Sequence, residues 1–270
     1  MIEKERENMA FDTAAVQLGK DMDASSMAIH MASTAAGFYT RGGNPTIARL
    51  EEALAHLEGG EKCVSAACGM AAVTQTLLSL LGAGDRLVAH RCVYDWSDSF
   101  FREELPRFGV DVEQIDFCDL RNLESALSKK TKLVYFEPLS NPTLDMIDVR
   151  SVAELAHRHG AIVVTDNTFL SPYLLRPLSL GVDIVIHSAT KYLCGHGDSL
   201  GGAIITNDEW AAKIRHGRNI YGGVLSPFNA FMILRGLQTL PLRMQKHNDN
   251  AMKVASFLSD HPDVAEATYP

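Results

Sequence analysis

The feature that most constrains the fold is an alternation of short apolar runs with amphipathic helical stretches along the middle of the chain. The runs LVAH, LVYF, AIVVT and DIVIH, at 87–90, 133–136, 161–165 and 183–187, are rich in β-branched residues and typical of buried strands. Helical patterns lie between them at 70–82, 97–107, 121–128 and 150–159. This alternation predicts βαβ units, so we expect an α/β fold with a mostly parallel central sheet flanked by helices.

The two ends of the chain differ from this middle. The first 45 residues have weak periodicity and are predicted to form an extended arm. Apolar residues at helical spacing over 47–57 predict a helix that ends at Gly59-Gly60, and a long helical pattern covers 226–260. We therefore expect an N-terminal extended arm (1–45), a large domain (46–235) that contains the strand–helix alternation, and a linker helix with the start of a truncated C-terminal domain (236–270).

Composition argues against several classes of protein. A net charge of −8 with interspersed signs repels nucleic acid and anionic membranes. The ten histidines have no zinc-binding spacing, and the five cysteines include no CxxC pair, so we expect no metal site and free thiols in a reducing compartment. The N-terminal MIEKEREN lacks the apolar core of a signal peptide, and we expect a cytoplasmic protein.

Ligands of such sheets gather where strands end, and Lys191 lies at one of these points. The strand DIVIH runs directly into Ser188-Ala189-Thr190-Lys191. A lysine that loses solvation there becomes a usable amine and can form a Schiff base with an aldehyde cofactor, while the hydroxyls of Ser188 and Thr190 can bind a phosphate. The alternative is an exposed lysine that merely follows a strand.

Two further segments suit the same chemistry. Asp166 ends another buried strand, where a carboxylate can keep a pyridine nitrogen protonated; the alternative is a cap for the next helix. Gly69-Met70 opens an apolar helix whose N–H groups can bind an anion, although many helices begin this way without a ligand.

Tyr94 and Asn141 are weaker candidates. Tyr94 follows the strand LVAH, where its ring can stack on a cofactor, but core packing is the alternative. Asn141 lies in a Ser140-Asn141-Pro142 turn after LVYFE, and its amide can reach a ring substituent or a carboxylate unless the segment is a simple turn.

Taken together, and in this order, the segments closely resemble the Cys/Met-metabolism family of fold-type I pyridoxal-5′-phosphate (PLP) enzymes. The family includes cystathionine γ-synthases, cystathionine and methionine γ-lyases, and O-acyl-homoserine sulfhydrylases. The resemblance covers nearly the whole chain. The matching stretches are YTRGGNPT (39–46), CGM (68–70), EPLSNP (137–142), DNT (166–168), SATKY (188–192), GHGD (195–198), LSP (225–227) and RGL (235–237).

The resemblance implies a role for each matching residue. Lys191 would be the Schiff-base lysine and proton shuttle, and Asp166 would pair with the pyridinium nitrogen. Tyr94 would stack on the ring and act as an acid or base near the leaving group. Asn141 would lie near the cofactor and the substrate carboxylate.

The resemblance also implies how the phosphate is held. Tyr39 and Arg41 would reach the phosphate of a neighbouring subunit, so the active sites would be shared in a dimer that pairs again into a homotetramer. The phosphate-binding residues of the same subunit would be Gly69, Met70, Ser188 and Thr190.

Three departures from the family pattern stand out. Asp95-Trp96 replaces the usual Gly-Gly or Gly-Cys after the stacking tyrosine, which should reshape the substrate pocket. The stretch from Thr34 to Tyr39 is shorter than usual. The C-terminal domain, which normally carries the arginine that binds the substrate α-carboxylate, is missing. We interpret the last two departures as a sign that the sequence is a fragment of a longer protein, and not an enzyme that evolved to a minimal size.

The expected activity is γ-elimination on a sulfur or related γ-substituted amino acid, releasing a 2-oxo acid, ammonia and a thiol. SATKYLCGHGD (188–198) is most similar to methionine γ-lyases. The alternative is γ-replacement, as in a cystathionine γ-synthase or a sulfhydrylase. A catalytically silent PLP-fold subunit is disfavoured because Lys191, Asp166 and Tyr94 occur together. An NAD-binding protein is disfavoured because the sequence has no GxGxxG motif after its first strand.

Overall fold

The computed structural model describes residues 9–18, 20, 26–35 and 37–270, and its strands and helices can be given in chain order. The strands are β1 (Thr34–Ala35), β2 (Phe38–Tyr39), β3 (Lys62–Ala66), β4 (Arg86–His90), β5 (Asp111–Ile115), β6 (Leu133–Phe136), β7 (Ile162–Asp166), β8 (Ile184–His187) and β9 (Gly202–Thr206). The α-helices are α1 (Phe11–Gln17), α2 (Pro45–Glu58), α3 (Gly69–Leu80), α4 (Asp95–Ser99), α5 (Leu120–Leu127), α6 (Val149–Arg158), α7 (Ser171–Leu174), α8 (Asp208–Tyr221), α9 (Pro227–Leu237) and α10 (Leu240–Ser259).

The main sheet has the order β3-β9-β8-β7-β6-β4-β5 among the described residues. Strands β4 to β8 pair in parallel, whereas β9 is antiparallel to both of its neighbours. Because β3 and β8 are both antiparallel to β9, β3 runs in the same direction as β8 and the other parallel strands. The carboxyl ends of β3, β4, β6, β7 and β8 therefore lie at one edge of the sheet, as predicted for a mostly parallel α/β fold.

Alternating residues of the strands divide the core between the two faces of the sheet. On one face, Leu87, Tyr135 and Val164 pack with apolar residues of α3 and α8. On the other face, Val88 and Val134 pack with α5 and α6. Both faces are covered, which explains why the strands read as continuous apolar runs.

Most of the predicted elements are present, and local chemistry explains where they begin and end. Asn44 caps α2 by accepting a hydrogen bond from the Thr46 N–H at 2.9 Å, and Gly59 ends it with φ of 80°. The segment predicted as a helix over 97–107 is helical but irregular: α4 ends at Ser99, a π-helical turn covers Phe100–Glu104, and a 3₁₀ turn follows at Leu105–Phe108.

The predicted arm is only partly described, and it is not uniformly extended. Residues 11–17 form α1, whose Ala14 and Ala15 are buried in the same cluster as α2, so the prediction of an extended arm is wrong there. The remaining arm residues at 1–8, 19, 21–25 and 36 lie outside the described part. In that part, no helix combines the length and apolar character needed to cross a membrane.

Candidate active site

The candidate site residues follow five different strands that end at the same edge of the sheet. Gly69 follows β3, Tyr94 follows β4, Asn141 follows β6, Asp166 ends β7, and Lys191 follows β8. Parallel topology therefore brings together residues that are far apart in the sequence. This is the edge at which α/β proteins bind ligands.

Lys191 lies in a series of turns just after β8. Its backbone N–H donates to the Ser188 carbonyl at 3.1 Å, and its carbonyl accepts from the Gly195 N–H at 2.7 Å. The side chain is exposed. The expected loss of solvation is therefore wrong for this chain by itself, because the turn after β8 leaves the Lys191 side chain in solvent.

Asp166 is partly buried at the end of β7, as predicted. Its Oδ1 accepts a hydrogen bond from the Thr168 N–H at 2.9 Å. Burial raises the pKa of Asp166 above its ordinary value, while the hydrogen bonds from Thr168 and the nearby His187 oppose this rise. A cation beside the carboxylate would restore its charge.

Gly69 and Ser188 are in close contact, which joins the start of α3 to the end of β8. A Cβ atom at position 69 would lie 2.7 Å from Ser188 Cβ and 2.8 Å from its Oγ, closer than side chains pack. The Ser188 N–H donates to Thr168 Oγ1 at 2.6 Å, so the segment after β7 belongs to the same corner. Glycine at position 69 thus allows a helix N-terminus to approach a serine hydroxyl.

Met70 and Thr190, both predicted to bind the phosphate, lie in different parts of the fold and have different contacts. Met70 lies in the first turn of α3, and its Sδ is 3.7 Å from Ser97 Oγ in α4. The Thr190 hydroxyl donates to the Gly201 carbonyl at 3.2 Å and accepts from the Gly201 N–H at 3.1 Å. The predicted phosphate-binding hydroxyl of Thr190 is therefore engaged with the backbone in this structure.

Tyr94 is the N-cap residue of α4, and its side chain is 47% exposed. Core packing, the alternative weighed for this ring, is thereby excluded. The Tyr94 N–H donates to Glu137 Oε1 at 2.7 Å. Burial, together with the charge of Asp166, raises the pKa of Glu137 to about 8.

Sequence reasoning missed Glu137 as a site residue. The signal was available: Glu137 directly follows the buried strand β6, just as Asp166 ends the neighbouring β7. Two carboxyl groups at adjacent parallel strand ends must come close together.

Asn141 is exposed in the loop after β6, next to a cis peptide bond to Pro142. The neighbouring Ser140 is buried and donates to the Cys92 carbonyl at 3.3 Å. The loop is thereby attached to the segment between β4 and Tyr94, on the same side as the other candidates.

Tyr39 ends β2 of the β1–β2 hairpin, and Arg41 follows it, so neither residue belongs to the main sheet. Tyr39 is 54% exposed, and the Arg41 guanidinium lies 5.2 Å from the centre of its ring. The Arg41 carbonyl accepts from Arg218 at 3.3 Å, which anchors this segment to α8. No hydrogen bond of the described residues joins either side chain to Lys191 or Asp166.

One group with metal-ligand atoms occurs among the described residues. Atoms of His90, Cys118 and Asp145 lie within 4.8 Å of one another. His90 Nδ1, however, accepts from the Phe117 N–H at 3.1 Å, so the neutral ring carries its proton on Nε2. A histidine that binds a metal through Nε2 normally carries its proton on Nδ1, so this hydrogen bond is unfavourable for an ion. The absence of a metal stays a prediction.

The residues at the edge of the sheet fit PLP. Asp166 offers a carboxylate that a protonated ring nitrogen would stabilise. The start of α3, packed against Ser188, suits a phosphate, and the exposed Lys191 amine is free to meet an aldehyde.

Comparisons with known proteins agree with this fit. The family described as Cys/Met metabolism PLP-dependent enzyme matches residues 9–270. L-methionine gamma-lyase of Treponema denticola is 45% identical over 236 residues, which is 86% of this chain and 59% of that protein. Cystathionine gamma-lyase of Rattus norvegicus is 42% identical over 234 residues, covering 86% of this chain and 58% of that protein.

A solved structure is similar as well. Cystathionine gamma synthase from Xanthomonas oryzae pv. oryzae, in complex with aminoacrylate and cysteine, has a TM-score of 0.92 and 40% identity, covering 96% of this chain and 70% of that one. The chain spans about three fifths of the length of the curated relatives it matches. With the α/β sheet and its candidate site, these matches establish that the chain belongs to the Cys/Met-metabolism family of PLP-dependent enzymes.

Proposed function

We propose that this chain is the cofactor-binding part of a C–S lyase that carries out γ-elimination on a sulfur or related γ-substituted amino acid. The products would be a 2-oxo acid, ammonia and a released thiol or other leaving group. The observation that carries the proposal is that Lys191, Asp166 and Tyr94 follow or end β8, β7 and β4, three parallel strands whose carboxyl ends lie at the same edge of the sheet. The likeness to two kinds of γ-lyase supports this chemistry.

Lys191 would hold the cofactor covalently and then move protons. PLP, when bound, supplies an electron sink for the charge left on the substrate Cα. The Lys191 Nζ would remove the Cα proton and then help to remove one from Cβ. The exposed position of this amine, on a turn held by Ser188 and Gly195, leaves room for a substrate to approach.

Asp166 and Tyr94 would support that proton transfer from two sides. The Asp166 carboxylate would keep the ring nitrogen protonated, and the cation there would offset the unfavourable burial of the carboxylate. The Tyr94 ring would stack on the cofactor, and its hydroxyl would donate a proton to the leaving γ-substituent. Asn141 would lie near the cofactor and the substrate carboxylate.

The phosphate would be held by groups from two chains. On this chain, the start of α3 and Ser188 offer the binding groups, with Thr190 contributing only if its hydroxyl leaves Gly201. Tyr39 and Arg41 would complete the phosphate site of a neighbouring copy, in a dimer that pairs into a tetramer. Their exposure, and the absence of a hydrogen bond to Lys191 among the described residues, support a role outside their own chain.

We also propose that the chain divides into an arm (1–45), a large domain (46–235) and a linker (236–270). The linker would lead toward a further domain. In α10 the buried residues are confined to the start, at Leu240, Pro241 and Met244. This distribution supports a connecting role for the rest of the helix.

γ-Replacement is the second candidate function, and two observations favour it. The likeness to a cystathionine gamma synthase structure is as extensive as the likeness to the lyases. In addition, Trp96, two residues after Tyr94 in the first turn of α4, is 66% exposed. A bulky side chain there would alter how a second substrate approaches the leaving-group position.

The test is keto-acid release by the full-length, PLP-loaded protein. Methionine, cystathionine, homocysteine and O-acetylhomoserine would each be supplied with and without an added thiol. We expect 2-oxobutanoate without the thiol. An amino-acid product that requires the thiol, with little keto acid, would move the assignment to γ-replacement, and no turnover of any substrate by a PLP-loaded protein would count against both.

A further inference from the structure

The carboxyl group of Glu137 is buried between two proposed site residues. Its side chain is 7% exposed, and Oε1 accepts the Tyr94 N–H at 2.7 Å. Tyr94 is the N-cap residue of α4, which has no side-chain cap of its own. The hydrogen bond to Glu137 therefore fixes the main chain at the point where the tyrosine ring leaves it.

Strand register places Glu137 beside Asp166. Phe136 of β6 pairs with Thr165 of β7, so the next residue on each strand is Glu137 on one and Asp166 on the other. Side chains alternate along a strand, and Tyr135 and Val164 both lie on the face covered by α3. Glu137 and Asp166, two residues further along, point to that same face.

Two carboxyl groups in this position cannot both be charged without cost. Burial first, and then the charge of Asp166, raises the pKa of Glu137, while the Tyr94 N–H lowers it. Among the described residues, the titratable groups that interact with Glu137 are Asp166 from β7 and Tyr135 from β6, and His187 from β8 interacts with Asp166. Burial and the two carboxylates raise the pKa of Tyr135 far above its ordinary value, so its phenol stays neutral. The pair therefore shares one proton near neutral pH.

We infer that Glu137 is a positioning residue of the proposed reaction, which holds Tyr94 through its main chain and shares with Asp166 the negative charge that balances the cofactor's ring nitrogen. This inference rests on the proposed function, because it assigns the charge to a PLP site. A cation at the ring nitrogen favours ionisation of Glu137, so the charged form of Glu137 strengthens cofactor binding. Below its own titration Glu137 is neutral and contributes only the hydrogen bond.

The test compares two variants with the wild type. Glu137→Gln keeps an Oε1 acceptor for the Tyr94 N–H and removes the charge, whereas Glu137→Leu removes both. The probe is pyridoxamine 5′-phosphate, which lacks the aldehyde and cannot bond to Lys191, titrated calorimetrically at pH 6.5 and pH 9. Taking the ratio of variant to wild-type affinity at each pH cancels the titration of the probe itself.

We expect Glu137→Gln to match the wild type at pH 6.5 and to bind about tenfold more weakly at pH 9, the ratio for one unit of pKa change on binding. Glu137→Leu should be weaker at both values, because Tyr94 loses its anchor. Glu124→Gln, a neutralised exposed carboxylate on α5, is the control and should equal the wild type throughout.

Two results would overturn parts of the inference. If the ratio of Glu137→Gln affinity to wild-type affinity is the same at both pH values, Glu137 does not share the negative charge with Asp166. Equal binding of pyridoxamine 5′-phosphate by the Gln and Leu variants would contradict the claim that Glu137 holds Tyr94 through its main chain. Failure of the proposed function is distinguishable: borohydride treatment of the wild type with PLP would then leave no cofactor on Lys191.

Discussion

Two regions of this chain carry the residues that match the family's cofactor motifs, and they are built in opposite ways. The carboxyl-edge corner (Gly69, Glu137, Asp166 and Ser188) consists of partly or fully buried groups held by close packing and short hydrogen bonds. In the Tyr39–Arg41 hairpin, the two side chains are exposed and pair with each other.

The difference indicates which parts of a cofactor site a single chain can assemble. Parallel strand ends place the corner residues without help from another chain. The hairpin residues are presented to solvent, as expected for groups whose ligand belongs to a neighbouring copy. The comparison predicts that changes in the corner act on each chain, whereas changes in the hairpin act only on the assembled protein.

Replacement of Lys191 by Ala, three residues after Ser188 of the corner, has the largest expected effect. Loss of both the covalent link and the proton-transferring amine should lower turnover by about 1000-fold or more. The measurement is borohydride reduction followed by peptide mass analysis, alongside keto-acid release. PLP that still becomes fixed to the strand-end peptide in the variant would contradict the assignment of Lys191.

The buried carboxyl pair should make the stability of the PLP-free protein depend on pH. Because the pKa of Glu137 is raised to about 8, the folded protein binds a proton that the unfolded chain has lost, so stability falls as pH rises from about 4.5 toward 8. Between pH 5 and 7.5 the wild type should lose roughly 3 kcal/mol relative to Glu137→Gln, at most 1.4 kcal/mol per pH unit.

Urea unfolding of both proteins at the two pH values measures this difference. Taking the difference between wild type and variant removes the contributions of titrating groups that do not interact with Glu137, so what remains belongs to the Glu137–Asp166 pair. Parallel pH dependence in the two proteins would mean that Glu137 carries no unusual proton in the folded state.

Replacement of Gly69 by Ala should weaken phosphate binding in every chain. The added Cβ would press on Ser188, and overpacking of this kind costs about 1–3 kcal/mol. If the resulting displacement of Ser188 and the start of α3 removes about 2 kcal/mol of phosphate binding, PLP affinity falls about thirtyfold. Gly82→Ala is the matched control, since the nearest atom to its Cβ would be 3.8 Å away. Equal PLP affinity in the two variants would argue against a phosphate at the start of α3.

Replacement of Arg41 by Ala tests the hairpin and has the smallest expected effect. Loss of one charge-assisted hydrogen bond should weaken PLP retention about tenfold, and only in the assembled protein. Equilibrium dialysis of assembled and dissociated fractions, with Arg49→Ala on α2 as control, separates the two cases. An equal loss in the dissociated fraction would place Arg41 in its own chain's site and end the contrast between the two regions.

The elements that could be predicted from sequence are those with a strong local signal. The apolar runs that became β4, β6, β7 and β8 have continuous burial on both faces, which leaves a clear mark in one chain segment. Strands β3, β5 and β9 were missed. In β5, the edge strand of the sheet, DVEQI mixes polar and apolar residues, and β9 begins at the last glycine of the glycine-rich stretch that follows Lys191.

The candidate site divides in the same way. Lys191, Asp166 and Gly69 could be singled out because each follows a recognisable strand or opens a helix, and their residue types suit PLP. Three features of the site could not be predicted, because each depends on contacts with other segments of the chain. They are the exposure of Lys191, the hydrogen bonds between Thr190 and Gly201, and the burial of Glu137.

The sequence by itself determined the strand–helix alternation, the mostly parallel sheet and the family to which the chain belongs, because these depend on short-range patterns of apolar, glycine and polar residues. Only the tertiary structure decided which of the strand-end groups meet, and which of them face solvent. The register of β6 and β7 brings Glu137 beside Asp166. The pKa of a carboxyl group rises this far only when other segments of the chain bury it and place a second negative charge next to it.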